Sequence, residues 1–383
     1  MARIAILGPA YPLRGGGLAT FNERLATAFK DYKGGEGGNQ VVVYTFSLQY
    51  PSLLFPGKTQ YSDEDPPEGL DIRVRLNSIN PLNWIKVGRE IAREGFDILV
   101  VRYWLPFMAP CLGTVSKIVR GNGHTRVIAI ADNIVPHEKR PADRLLTRYF
   151  LKRVDRFIVM SDTVIKDLKA FGVVSDRIRF CPHPLYDNFG KAVNREEARR
   201  ELGIGSGDKV VLFFGFIREY KGLDLLIRAM ARENIKRLGI KLLVAGEFYS
   251  RPGQYYHMAE ENKLADRVMW HTDFIPNHMV RFYFSACDLV AQPYKSATQS
   301  GVTQVAYHFL KPMVVTNVGG LPEMVPHGRA GYVVEPEPEP IAGAIEDFFE
   351  NKREESLINT LKEEKKRFSW DNFVKNIFEI ARI

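Results

Sequence analysis

Short β-rich apolar runs alternate with amphipathic helical stretches along the whole chain, a pattern that fits parallel α/β sheets and argues against a sandwich or a helical bundle. In the first half, strands read near Arg3–Leu7, Gln40–Tyr44, Leu70–Val74, Ile98–Val101, Thr125–Ile130 and Phe157–Met160, with helices such as Thr20–Asp31 and Trp84–Glu94 between them. The second half repeats the pattern with strands at Lys209–Phe214, Lys241–Ala245, Val268–Trp270, Leu289–Ala291, Met313–Thr316 and Gly331–Val333, and helices such as Leu223–Glu233 and Asn277–Ala286. Each half makes one Rossmann-like domain, and 383 residues are enough for two cores. The stretch from Pro182 to Gly190 has the proline and glycine content of a connector that cannot continue a helix. It sets the expected division: a first domain over 1–186, a second over 187–367, and a closing helical segment over 368–383. Glu335–Pro340 reads as a proline-rich turn.

Composition narrows the function classes. Cys111, Cys181 and Cys287 are widely spaced with no C-x-x-C pair, so neither a disulfide framework nor a zinc site is expected and a reducing cytoplasm fits. No apolar run approaches the roughly 20 residues of a membrane span. The formal net charge of +8 is open to three readings: a phosphorylated substrate, an anionic membrane surface, or solubility alone. Lys139, Arg140, Arg144, Arg148, Lys152, Arg153 and Arg156 fall along a helix that also carries Leu145, Leu146, Tyr149, Phe150 and Leu151. Such a helix suits peripheral contact at an inner membrane face, although a surface helix packing one face on a sheet is the plainer account. The basic residues are not interleaved with aromatics in the manner of a nucleic-acid module, so no nucleic-acid partner is expected.

Two segments have the chemistry of a binding site. The loop Pro9–Gly17 ends in Gly15, Gly16 and Gly17 after the first strand, where α/β folds bind ligands and where glycine lets backbone approach closely. It lacks the G-x-G-x-x-G spacing, and no acidic residue ends the second strand, which argues against NAD. Gly34–Gly38 reads as a flexible turn. The stretch Tyr294–Gln304, followed by Pro312–Val315 and Gly319–Glu323, reads as strand end, small polar loop, helix start, strand and glycine turn. Thr298, Gln299, Ser300, Gly301 and Val302 thus stand at a helix N-terminus, whose free N–H groups and dipole hold a diphosphate without a dedicated metal. Lys221 is read as opening a helix after a strand, beside Gly222, with its ammonium free to neutralise a leaving diphosphate; Arg218 adds a bidentate contact.

Gly15–Gly17 before Thr20–Ala26, the run Phe214–Asp224, and the block from Ser300-Gly301 to Glu323 together resemble a glycosyltransferase of family 4, across nearly the whole chain. The resemblance implies an α/β fold of GT-B type: two facing Rossmann-like parallel-sheet domains that close over a nucleotide-sugar, with a C-terminal helix, here around Trp370, crossing back to the first. It implies a metal-independent, retaining hexosyltransferase that takes no cofactor beyond its nucleotide diphosphate sugar co-substrate. The acceptor is a hydroxyl of a glycan, a lipid-linked saccharide or a metabolite, as in polysaccharide biosynthesis. A non-catalytic sugar-nucleotide binding protein of the same fold is the alternative.

Departures from the family pattern matter. The two glutamates that many members carry around the glycine matching Gly301 fall here on Thr298 and Ala306, or on Ala297 and Val305, so Thr298, Gln299 and Ser300 are left to make the sugar and phosphate contacts. Phe216 holds the place of the usual arginine, which weakens Arg218. Gln304 either reaches the phosphates or packs as a satisfied core amide. Relatives have a histidine near the strand end at Asp132; His137 is preferred over Asp132 as the group that orients the reacting sugar. Trp104 lines the acceptor side or sits in the core. His271–Pro276, with Phe274, and Glu247 are placed at the nucleotide, while Glu323 either caps a helix or faces the ligand.

Overall fold

Strands buried on both faces read as unbroken apolar runs, because parallel sheets carry helices on each side. The computed structural model builds this twice; it describes residues 1–14, 17–34, 38–51, 59–63, 65–136, 141–297 and 300–382. The chain divides into two compact units, Met1–Pro184 with Phe368–Ile383, and Leu185–Arg367.

In unit 1 the order is β1 (Arg3–Leu7), α1 (Gly17–Asp31), β2 (Gln40–Leu48), β3 (Asp71–Asn77), α2 (Pro81–Glu94), β4 (Ile98–Tyr103), α3 (Ala109–Arg120), β5 (Arg126–Ala131), α4 (Asp143–Leu151), β6 (Arg156–Val159), α5 (Asp162–Ala170) and β7 (Ile178–Phe180). These strands form a parallel sheet in the order β3-β2-β1-β4-β5-β6-β7. Unit 2 runs α6 (Arg195–Glu201), β8 (Lys209–Phe214), α7 (Leu223–Met230), α8 (Glu233–Arg237), β9 (Ile240–Ala245), α9 (Gly253–Glu261), β10 (Val268–His271), α10 (Asn277–Ala286), β11 (Leu289–Gln292), α11 (Gly301–His308), β12 (Met313–Thr316), α12 (Leu321–Met324), β13 (Gly331–Val334), α13 (Pro338–Glu350) and α14 (Glu354–Glu364). Its sheet order is β10-β9-β8-β11-β12-β13.

The last helix, α15 (Trp370–Ala381), belongs to unit 1. Ser369 caps it by accepting from the Asn372 N–H. Trp370, Phe373, Val374 and Ile377 recur at helical spacing and are buried. Phe21 of α1 meets Trp370 at 5.1 Å and Phe373 at 5.6 Å between ring centroids, so the seam between α1 and α15 is largely aromatic.

Three expectations need correction. Helix α7 stops at Met230, because Arg232 is extended (ψ 142) and caps a separate α8. The expected turn Glu335–Pro340 is confined to Glu335–Glu337; Pro338 already stands in the first turn of α13, where a missing N–H costs nothing. Lys221 does not open a helix; it ends a 3-10 turn over Glu219–Lys221, and α7 begins after Gly222. Gly222 is left-handed at φ 69, and a Cβ there would overlap the carbonyl oxygen of Pro293, so the loop after β8 is pressed onto the loop after β11 in a way only glycine allows.

Candidate functional site

In an open α/β sheet the strand order reverses at one place, and the loops at the carboxyl ends of the two strands there part to leave a crevice. In unit 2 that place lies between β8 and β11. The two loops are tied together: the Lys295 N–H donates to the Tyr220 carbonyl at 2.7 Å, and Lys295 Nζ pairs with Asp224 at 2.9 Å. Lys221 and helix α11 meet there. A Cβ placed on Gly215 would lie 3.1 Å from Lys221 Nζ and 3.7 Å from Val302 Cγ2, so both side chains crowd the same glycine. The ammonium lies 5.7 Å from the Tyr294 ring centroid.

Lys221 has no acceptor or carboxylate among the described residues. Burial, helped by the nearby Arg218 guanidinium, lowers its pKa to about 7. Arg218 is exposed and lies over the Tyr249 ring at 5.0 Å; it likewise has no carboxylate among the described residues. A half-buried cation with no anion beside it among the described residues is a group that an anionic ligand would satisfy.

The N-terminus of α11 adds to this. Ser300 occupies the N-cap position but its side chain makes no capping bond; its Oγ shares a hydrogen bond with the Tyr294 hydroxyl at 3.2 Å instead. No acidic residue stands in the first turn. The first N–H groups of α11 are therefore not capped by Ser300. Gly301 is glycine for a packing reason: a Cβ would come within 2.6 Å of the Tyr186 ring, which lies buried against the helix start. Thr298, Gln299, Gly16 and His137 lie outside the described residues. Gly17 is the exposed first residue of α1, in unit 1.

Glu247 and Phe274 extend the site along the sheet. Glu247 follows β9, is buried, and its carbonyl accepts from the Ile217 N–H at 2.8 Å, which zips the loops after β8 and β9 together. Phe274 is half-buried in the loop after β10. Lys221, Glu247 and Phe274 stand in the loops after β8, β9 and β10 in turn, a line running away from β11. Glu323 sits in the short α12 and has a partner of its own.

Gln304 is not satisfied by the core around it. It is completely buried, and neither its amide oxygen nor its nitrogen has a partner among the described residues. A buried amide without partners costs about 1–3 kcal/mol, so Gln304→Leu is expected to raise stability by about 1 kcal/mol, read as a higher midpoint in urea unfolding.

Unit 1 decides one alternative and gives Asp132 a partner. Trp104 is in the core: it is 9% exposed, donates from Nε1 to the Tyr50 hydroxyl at 2.8 Å, and meets Phe46 edge-on. Asp132 is not a free base. Its two oxygens accept from Arg102 Nε and Nη2 at 2.6 and 2.5 Å, and the guanidinium carbon lies 3.8 Å from the centre of the Phe21 ring. No residue spacing signals that pair, because Arg102 lies on β4 and Asp132 just after β5.

The chain matches two family models, one described as Glycosyltransferase Family 4 over residues 15–186 and one as glycosyl transferases group 1 over 194–367. It is 26% identical over 310 residues to a D-inositol 3-phosphate glycosyltransferase of Corynebacterium urealyticum, covering 75% of this chain and 71% of the relative. Among solved structures, sucrose-phosphate synthase from Thermosynechococcus elongatus superposes with a TM-score of 0.74 at 18% identity, over 100% of this chain and 98% of the other. The Anabaena protein HepE, in complex with UDP and glucose, superposes with a TM-score of 0.74 at 16% identity, over 99% of each chain. These structures share the fold, the two-sheet GT-B architecture.

Proposed function

Since this chain belongs to glycosyltransferase family 4, we propose that it transfers a hexose from a nucleotide diphosphate sugar to a hydroxyl acceptor, with retention at the anomeric carbon. The observation that carries this reading is the Lys221 ammonium, unpaired among the described residues, beside the N-terminus of α11. In the reaction the bond between the anomeric carbon and the diphosphate oxygen breaks, the acceptor oxygen bonds to that carbon, and the acceptor proton passes to the departing diphosphate. The protein's task is then to stabilise charge growing on the leaving group. Lys221, the α11 N–H groups and the exposed Arg218 supply fixed positive charge there, so neither a metal nor a cofactor is invoked. Thr298, Gln299, Ser300 and Val302 are assigned to the diphosphate and sugar, Glu247 and Phe274 to the nucleoside side, Gly16 and Gly17 to close backbone approach, and His137 to orienting the reacting sugar. The UDP-bound neighbour supports a nucleoside diphosphate as the leaving group. The acceptor is a glycan, a lipid-linked saccharide or a small metabolite.

A thermal-shift comparison of UDP, GDP, ADP and their sugars is expected to raise the melting temperature for one nucleotide series, since a ligand that binds the native state stabilises it. Free nucleoside diphosphate should then be released when an acceptor is present. Tight donor binding with no turnover on any acceptor would point to the non-catalytic alternative.

Donor binding also has a pH signature. Without an anion Lys221 is half protonated near pH 7, and a bound diphosphate raises its pKa, so binding takes up a proton at neutral pH. Affinity is expected to fall by about tenfold per pH unit above 7, until the pKa of the complex is reached. Calorimetry in buffers of different ionisation enthalpy reads the proton directly. The sugar nucleotide is the right probe, because its diphosphate carries no proton in that range.

A further inference from the structure

Three helices of unit 1 turn their charged stripes to one side of its sheet. The connections β3 to β4, β4 to β5 and β5 to β6 all step in the same direction across the sheet, so right-handed crossovers put α2, α3 and α4 on one face. Helix α3 packs against both of the others. All three run antiparallel to the strands, which places their N-terminal ends together at the carboxyl edge. The outward stripe of α2 is Leu82, Lys86, Arg89 and Arg93, all exposed and spaced one turn apart. That of α4 is Arg144, Leu145 and Arg148, with Lys152 just past its end, and α3 adds Lys117 and Arg120.

The two leucines are the unexpected part. Leu82 is 78% and Leu145 72% exposed, although each stands on the polar side of a helix whose apolar side, Val87 and Ile91 or Phe150 and Leu151, is already buried. Both lie in the first turn of their helix and so at the same edge, with Ile79 exposed just before α2. The carboxylates of α2 do not offset the cations on this face: Glu90 pairs with Arg75 and Glu94 with Arg73, both on β3. Asp155 is paired with Arg120.

We propose that this face docks on an anionic lipid surface, with Leu82 and Leu145 entering the headgroup layer while Lys86, Arg89, Arg144 and Arg148 meet lipid phosphates. Apolar anchors set in a basic stripe are what such a surface selects, and charge complementarity favours it over a second copy of this equally basic chain. Among the described residues no helix is long and apolar enough to cross a membrane, so the contact is peripheral. Docking makes a lipid-linked saccharide the acceptor class, a step that rests on the transferase reading; the docking itself does not.

Flotation of the full chain with vesicles tests this. Binding is expected to mixed phosphatidylcholine–phosphatidylglycerol vesicles, to weaken with salt, and to be absent with phosphatidylcholine alone. Arg144→Glu with Arg148→Glu should weaken binding by about tenfold or more. Leu82→Ser with Leu145→Ser should weaken it by about tenfold or more while keeping the salt dependence. Both double variants change exposed residues, so melting temperature and donor-induced thermal shift should match the parent; those readouts separate a failure here from a failure of the donor site. Absence of binding to the anionic vesicles, or leucine variants that float like the parent, would overturn the proposal. So would a concentration-dependent dimer abolished by the leucine variants, which would show a second copy covering this face.

Discussion

Replacing Lys221 with methionine is expected to cut sugar transfer by about a thousandfold and to abolish the proton uptake that accompanies donor binding. The side chain keeps its length and apolar stem but loses the charge, so the change isolates the ammonium. Donor affinity should fall with it, and kcat should fall further, since charge on the diphosphate grows as the bond to the sugar breaks and is felt most strongly in the transition state. The fold should not suffer. Burial already opposes the charge, and among the described residues Lys221 has no partner that the substitution would strand. Between pH 7 and the ordinary lysine range the parent's unfolded chain holds a proton that the folded protein has released. Parent stability therefore rises with pH across that window, and the variant's should lose that slope. Lys221→Arg is not expected to restore transfer fully, because a planar fork places its charge differently from a compact ammonium. A methionine variant that turned over like the parent would remove the leaving group from this place.

Much of this was legible from residues in order along the chain. Runs such as Lys209–Phe214 and Met313–Thr316 announce strands because both faces are buried and every position is free to be apolar. The strand β7 gives no such signal: it has three residues, stands at the sheet edge, and carries Arg179 at its centre. Ser300-Gly301 after a strand marks a helix start, and the start is where it was expected. What sequence order could not carry is whatever depends on a distant partner. That Gly301 makes way for Tyr186, that Gly222 lies against the Pro293 carbonyl, and that Gln304 has no hydrogen-bond partner among the described residues are all set by packing between segments that spacing does not connect. The same holds for the basic face of unit 1: α4 shows its charges in the sequence, but only the sheet order sets α2 and α3 beside it.

The largest expected loss of stability lies in unit 1, at a residue the sequence offered as an alternative to His137. Asp132→Ala should cost about 3–5 kcal/mol, read as a lower urea midpoint. The reason is the charge left behind: Arg102 is 2% exposed, stacked on Phe21, and its Nη1 already lacks a partner among the described residues. Phe21 is also the ring on which Trp370, Phe373 and His183 converge, so a displaced guanidinium would disturb the attachment of α15. The pair itself contributes far less than its removal costs. Burial pushes the Asp132 carboxyl above its usual range and Arg102 only partly offsets it, the balance expected when desolvation outweighs attraction. Exchanging both partners, Arg102→Met with Asp132→Leu, should therefore recover most of the loss. That double variant also tests the chemistry, because it is folded and lacks the carboxylate. Transfer per folded molecule within about tenfold of the parent, little more than one group's share of acid–base catalysis, is expected if Asp132 only holds the fold. A well-folded double variant with no turnover would instead make Asp132 part of the reaction.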